Sequence, residues 1–524
     1  MKIFIKILCI LLVLCFIGTA FIGCGKKKGG GDGATEGAQE EEQTDEVPFV
    51  NEYGEASFTS SLPVDELDFE GAEIVILLRD NIQNTREWTK KTIEDELDEA
   101  IAMRNEAVQD SLNVQLVFEL ISGSTLTEYY NKMSSMVMSD VTSGKHYYDI
   151  NCATLSFVAR SEIRDYAANL KDTTTFPYFN FELPCWNQAI VKNTTINKQL
   201  YYIVGDANIS MFDASMIIWH NKTLYDRKKE ATDPDNMQQL ALDGNWTYDV
   251  LYEWATRLQE DSNGVEGYQS DDTYGFCTFP NNPCPADALP YAWDLEFVIT
   301  ENNGTHKFNI VGNTKAETAL KNFRNLITAS GTTAEESSVS TAVKNFAAGK
   351  YVFFTDRLYF DYDNNMAIRE MEDKYGLLPI PKYDANQENY GTTSQDYFNA
   401  MSVIDHSQSM TPIKGDAVSA VLELATEESY TAVRGYYFNR IIKPKFFGTD
   451  DSEGTVTKSI ALFDIIIANI EFDYAYIYAP QLANIHHLWR NACYEDTTLE
   501  KKFTGAQASF ESAMQLTDEW LGLR

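Results

Sequence analysis

Positive charge is scarce in this sequence. Its 42 Lys and Arg stand against 78 Asp and Glu, a formal net charge of −36. Phosphate backbones and anionic lipid repel a chain so acidic, which argues against nucleic acid as a partner and against peripheral binding to such a membrane. Histidine is rarer still: there are 6, with His486-His487 the one cluster, so metal-dependent hydrolysis has no support. There is no Gly-x-Ser-x-Gly, no His-Glu-x-x-His and no phosphate loop. Paired carboxylates can hydrolyse glycosides, but no motif singles out a pair among 78 acidic residues. No fixed-period repeat is visible. No catalytic residue, no metal ligand and no cofactor is therefore expected.

What is present starts at the N-terminus. Met1-Lys2 and Lys6 form a short basic region, Ile7–Ile17 is an unbroken apolar run, and small residues follow at Gly18, Thr19 and Ala20. That is the layout of an export signal, read over 1–23. The closing Phe21-Ile22-Gly23-Cys24 resembles a bacterial lipobox, with Cys24 the lipidated residue and Phe21 where Leu is usual. The alternative is a plain membrane span, since the run approaches the ~20 residues a span needs. Residues 24–48 favour the lipobox: Lys, Gly and acidic residues with almost no large apolar side chain make a flexible tether. Of the 8 Cys, five lie beyond it, Cys152, Cys185, Cys277, Cys284 and Cys493, with no disulfide or zinc spacing. Cys277 and Cys284 either pair across a Pro- and Asn-rich loop or are buried free thiols.

The chain from residue 50 to 524 exceeds one ordinary core, so two lobes are expected. Ala72–Leu78 reads as a strand, Asp95–Leu112 as a helix, Val114–Phe118 as a strand, Leu126–Ser139 as a helix and Tyr148–Ile150 as a strand. This alternation predicts an α/β fold with parallel strands flanked by helices. Ligands in such folds sit beyond the carboxyl ends of the strands. Further strands are read at Leu200–Val204, Met216–His220, Tyr351–Phe354 and Gly376–Ile380. Helices are read at Thr247–Gln259, Lys315–Ala329, Ser340–Ala348, Asp416–Ser429, Ile460–Ala468 and Ala508–Leu521.

Several local patterns fall in one order. They are Arg104-Asn105-Glu106-Ala107-Val108, Tyr148-Asp149-Ile150, Leu200–Asp206 (LYYIVGD), Ile217–Tyr225 (IIWHNKTLY), Asn245–Leu251 (NWTYDVL), Asp272–Phe276 (DTYGF), Phe346–Lys350 (FAAGK) and Tyr375–Asp384 (YGLLPIPKYD). Together they resemble the solute-binding proteins of bacterial ABC importers, of the maltose- and oligosaccharide-binding kind, with the last segment similar to a clostridial-type lipoprotein branch. The match spans residues 70 to 400 and is only general beyond 405. The resemblance implies a two-lobed periplasmic-binding-protein fold (type II), each lobe a mainly parallel sheet flanked by helices, with a hinge between lobes. It implies 70–155 plus 353–402 as one lobe and 156–352 plus 403–524 as the other. It also implies a carbohydrate ligand, permease subunits as partners, no enzymatic activity, a monomer, and a lipid-anchored place on the outer face of a Gram-positive cytoplasmic membrane. A glycan-binding sensor or adhesin, or a glycan hydrolase, remains an alternative.

Sugars are held by aromatic faces and by planar polar side chains. Asp80 and Asn81 follow the first strand, and Ser124 and Thr125 start a helix, where a hydroxyl can equally be an N-cap. Asp206, Asn208 and Ser210 follow an apolar run. Trp186 and Trp293 stand in loop-like contexts and are expected to stack on ligand, whereas Trp219 reads as core and Trp246 as a packing staple before a helix. Asp356 and Arg357 end a strand, and Tyr397 closes the polar stretch 391–397. Asp361–Asn365 has alternating oxygen ligands like a calcium loop but lacks its Gly and closing Glu.

Overall fold

The computed structural model describes residues 49–50, 56–57 and 60–522, except 61, 82–84, 90–95, 161–165, 266–268, 270, 282–283, 302–303, 359–366, 396–397, 407–411 and 439–454. The export signal, Cys24 and the tether lie outside the described residues.

A first sheet is started by β1 (Ala72–Arg79), β2 (Val114–Ile121) and β3 (Ile150–Thr154). β1 pairs in parallel with β2 from Ala72↔Val114 to Arg79↔Ile121, and with β3 through Ile76↔Ile150. Ile74–Leu78 is buried at every position, as in a strand covered on both faces. The helix Glu96–Leu112 follows β1 and buries Leu97, Ile101, Val108 and Leu112 at the spacing of one helical face. The helix Leu126–Ser143 starts where the Thr125 hydroxyl accepts the Glu128 N–H, and it ends at Gly144, whose φ of 66° only glycine adopts freely.

The chain then builds a second sheet from β4 (Met216–Asn221), β5 (Tyr274–Thr278), β6 (Thr333–Glu335), β7 (Tyr351–Arg357) and β8 (Tyr375–Leu378), before returning to the first as β9 (Asn399–Val403). The strand orders are β9-β3-β1-β2 and β6-β5-β7-β4-β8. In the first sheet only β9 runs antiparallel. The second is evenly mixed: β5 pairs in parallel with β6 and β7, while β4 pairs antiparallel with β7 and β8.

Two separate sheets give two lobes. One apolar cluster covers one face of the first sheet, and the larger one runs from that sheet's other face through the second sheet. The lobes divide the chain differently from the expected boundaries. β7 and β8, within the stretch 353–402 expected in the first lobe, pair in the second sheet because β4 takes them as neighbours on both sides. Conversely, the helix Pro412–Glu428 packs on Glu96–Leu112 and β1, and Leu170, Trp186 and Ile203 share the first sheet's core with Ile74 and Val403. The five cysteines beyond the tether are all buried free thiols, Cys277 and Cys284 included.

Candidate functional site

The carboxyl ends of β1, β2 and β3 form one rim. Asp80, exposed at the end of β1, accepts a hydrogen bond of 2.8 Å from the Ser122 hydroxyl beyond β2. Asn81 beside it is half-buried. Ser124 is exposed, and both its N–H and its hydroxyl bond Glu128 Oε2, at 3.0 and 2.5 Å. With Thr125 accepting from Glu128 N–H, this is a reciprocal helix cap. Lys132 and Ser124 hold the Glu128 carboxyl down at about 2. The Ser124 hydroxyl therefore serves the helix start.

Aromatic rings and guanidinium groups collect at the same rim. After β3, the short helix Leu155–Val158 brings Phe157 against Tyr130, with ring centroids 4.4 Å apart and planes within 10°. The Tyr130 hydroxyl meets Thr154 Oγ1 at 2.6 Å. Arg160 lies over Tyr130 and Phe157, at 5.6 and 5.9 Å, and Arg79 over Tyr129 at 5.4 Å. Tyr130, Arg79 and Arg160 are half-buried, so each keeps surface toward solvent. The second lobe comes up to this place: Tyr474–Ile477 packs on Leu155–Val158, and Gln481 Nε2 donates to the Ala159 carbonyl. Rings with forked cations beside them are the devices by which a sugar is held. Tyr129 and Tyr130 are visible in the sequence as the apolar face of a helix; Arg79 and Arg160 carry no local signal.

The lobes are joined by segments that hydrogen-bond to each other. Met216 N–H donates to Thr393 O at 3.0 Å and Gln395 N–H to Ala214 O at 2.9 Å. Thr392 N–H donates to Asn469 O at 3.2 Å and Glu471 N–H to Thr392 O at 2.8 Å. A cavity of about 400 Å³ beside these crossings is lined in part by Trp186, Asp206, Phe212, Arg434 and Ile470. Asp206 Oδ2 accepts from Arg434 at 3.0 Å, and Arg434 lies over Tyr430 and Phe212. Burial pushes the Asp206 carboxyl up, against the pull of Arg434. Trp186 and Asp206 thus meet at the β9 edge of the first sheet, away from Asp80 and Ser124 beyond its inner and far strands.

Both loop tryptophans differ from expectation. Trp186 is 1% exposed, and its indole N–H bonds Glu423 Oε2 at 3.2 Å. Trp293 is also 1% exposed, with its N–H on the Pro381 carbonyl at 3.0 Å. Neither offers a ring face for a sugar, because neighbouring helices and loops close over it. Asp356 and Arg357 are buried at the end of β7, where Arg357 donates to Gln395 at 2.7 Å in a crossing segment. Burial pushes the Asp356 carboxyl up, with Arg357 opposing. Asn208 and Ser210 are buried, Asn208 accepting from Gly205 N–H and Ser210 donating to Glu87. Tyr397 and the 361–365 loop lie outside the described residues.

Sequence reasoning missed Glu87. Its carboxylate is 1% exposed and accepts from Ser210 N–H at 2.8 Å, from the Ser210 hydroxyl, and from Asn399 Nδ2 at 2.6 Å. It links the end of β1, the crossing that leads to β4, and the start of β9. Its partners are 123 and 312 residues away, so no local pattern could reveal it. Burial outweighs these bonds and pushes the carboxyl up to about 7. Because the folded value exceeds the unfolded one, the folded chain binds the extra proton. The contribution is fully present below the unfolded value, ~4.3, and is lost as pH rises through about 7. Glu87→Gln is expected to remove a downward slope worth on the order of 3 kcal/mol between pH 4.5 and 7. The check is the difference in denaturation midpoint between wild type and variant across that range; parallel curves would contradict it.

No protein-family model matches the chain, and no curated protein matches it in sequence. Solved structures do. A sugar transporter from Rhizobium etli, in an open conformation, is 14% identical with a TM-score of 0.53, over 85% of this chain and 99% of that one. The sugar-binding protein MalE from Xanthomonas citri is 11% identical with a TM-score of 0.53, over 86% and 98%. A cyclic alpha-maltosyl-1,6-maltose binding protein from Arthrobacter globiformis is 12% identical with a TM-score of 0.52, over 85% and 99%. The chain shares their two-lobed fold over 85–86% of its length.

Proposed function

We propose that this chain is a substrate-binding lipoprotein that captures an extracellular carbohydrate, an oligosaccharide, and delivers it to an ABC transporter permease. The observation that carries the reading is the two-lobed fold, shared over 98% or more of each of three solved proteins described as sugar transporters or sugar- or maltosyl-maltose-binding proteins. The rim supports it. Tyr130, backed by the buried Phe157, presents a ring, and Arg79 and Arg160 present guanidinium groups, at the rim that holds Asp80 and Asn81 and that the second lobe approaches through Gln481. A ligand lying there is sandwiched when the lobes swing about the 214–216, 392–395 and 469–471 crossings. In this reading the chain performs no chemistry, acts as a monomer and hangs from the outer face of a Gram-positive membrane by Cys24. The tether keeps it near its permease while leaving the lobes free.

A thermal-shift screen of the mature chain against a glycan panel tests this. Ligand that binds only the folded state at a hundred times its Kd adds about 2.7 kcal/mol, a rise of a few degrees. Stabilisation by a glycan returned intact is expected. Turnover of any glycan overturns the binding reading, and stabilisation by peptides or polyamines alone overturns the carbohydrate assignment.

A further inference from the structure

Two histidines 260 residues apart meet at the end of the first sheet opposite the rim. His146 lies in the turn between the helix Leu126–Ser143 and β3, with a φ of 52°. His406 follows β9 and is buried. Val403, the last residue of β9, pairs with Ile150, the first of β3, which fixes both histidines at this end. Their Nδ1 atoms stand 2.6 Å apart and their rings are nearly perpendicular, at 83°.

The other nitrogen of His406 sets the chemistry. Its Nε2 is 2.7 Å from the Tyr148 carbonyl and 3.7 Å from Asp140 Oδ2. A carbonyl only accepts, so Nε2 carries the hydrogen, and the tautomer with its one hydrogen there turns the Nδ1 lone pair toward His146. One ring N–H held on a carbonyl, with a carboxylate behind, is how a metal-ligating imidazole is oriented. Two buried carboxylates, Asp140 and Asp149, flank the pair, Asp149 being bound to Lys414 at 2.9 Å.

We propose that His146 and His406 form a binding site for a divalent transition metal ion such as zinc. Both Nδ1 atoms ligate it and water completes a tetrahedron. Tetrahedral zinc with nitrogens at about 2.1 Å sets two ligands about 3.4 Å apart, so the rings part by less than an ångström. Ligation through Nδ1 places the His146 hydrogen on Nε2, a change of tautomer that releases no proton from a ring carrying one hydrogen. Among the described residues no group of three His, Cys, Asp or Glu surrounds one point, so the protein supplies two ligands. The ion ties the turn after the helix to the segment after β9 and stabilises the first lobe, away from the sugar rim.

Zinc chloride titrated into chelator-treated mature chain tests the site, by calorimetry and by melting temperature. One zinc per chain and a raised melting temperature are expected. His146→Asn removes the ligand while suiting the left-handed turn, and it should weaken binding by about tenfold or more. His406→Gln should do the same if it folds, while His487→Ala should leave binding unchanged. No saturable heat, binding that survives His146→Asn, or binding lost with His487→Ala would each overturn the proposal.

Discussion

Replacing Trp293 with alanine is expected to destabilise the chain by about 3–5 kcal/mol, the usual cost of deleting a buried aromatic. The ring is wedged among Tyr248, Tyr383 and Trp489, with centroids 5.8, 5.9 and 6.3 Å away and edge-to-face angles of 85°, 68° and 87°. Alanine leaves a cavity that these rings fill poorly. It also strips the Pro381 carbonyl of its indole donor, which adds the cost of a buried acceptor left alone. Trp293→Phe keeps most of the ring and loses that bond, so it should cost far less. Equilibrium denaturation of the three proteins measures this. If Trp293→Ala spared stability and only weakened sugar binding, the residue would be the exposed stacking platform that its loop context suggests.

Gly275→Ala should be comparably severe, at about 3 kcal/mol or more, the upper range for forcing atoms into a packed interior. A Cβ there would stand 1.7 Å from the Ala255 carbonyl oxygen and 2.3 Å from its carbon. Those are backbone atoms of the helix Tyr248–Leu258, which lies directly on β5, so no side-chain rotation relieves the overlap. Gly505 is the control. It sits exposed in the helix Leu499–Trp520 with nothing within 4 Å of an added Cβ, and alanine there should be neutral or stabilising. Equal stability of the two variants would mean that β5 and the helix do not pack as described.

Gly275 also shows what the sequence conceals. No strand is read around Asp272–Phe276, yet Tyr274–Thr278 is a strand of the second sheet, paired on both sides. Its glycine is there for the helix pressed on it, which only the tertiary structure reveals. Asn399–Val403 escaped for a similar reason: its mix of polar and apolar residues has no clean period, although all five are buried. Elements with strong periodicity were legible nearly to the residue. Ala72–Leu78 is observed as Ala72–Arg79, and Thr247–Gln259 as Tyr248–Leu258. The candidate site was less so. Asp80 and Asn81 do stand at the rim, because strand ends can be counted along the chain. Whether a tryptophan flanked by Pro184, Cys185 or Asp294 faces water depends on segments far along the chain, 237 residues away for Glu423 on Trp186 and 88 for Pro381 on Trp293. The same is true of Glu87, whose partners come from other parts of the chain, and of Arg79 and Arg160, which no motif marks.

Native mass spectrometry of the mature chain with the glycan that most raises its melting temperature tests the central claim most directly. The account predicts one glycan per chain, released with its mass unchanged after prolonged incubation. A chain that binds no glycan, or that releases cleaved products, would contradict it.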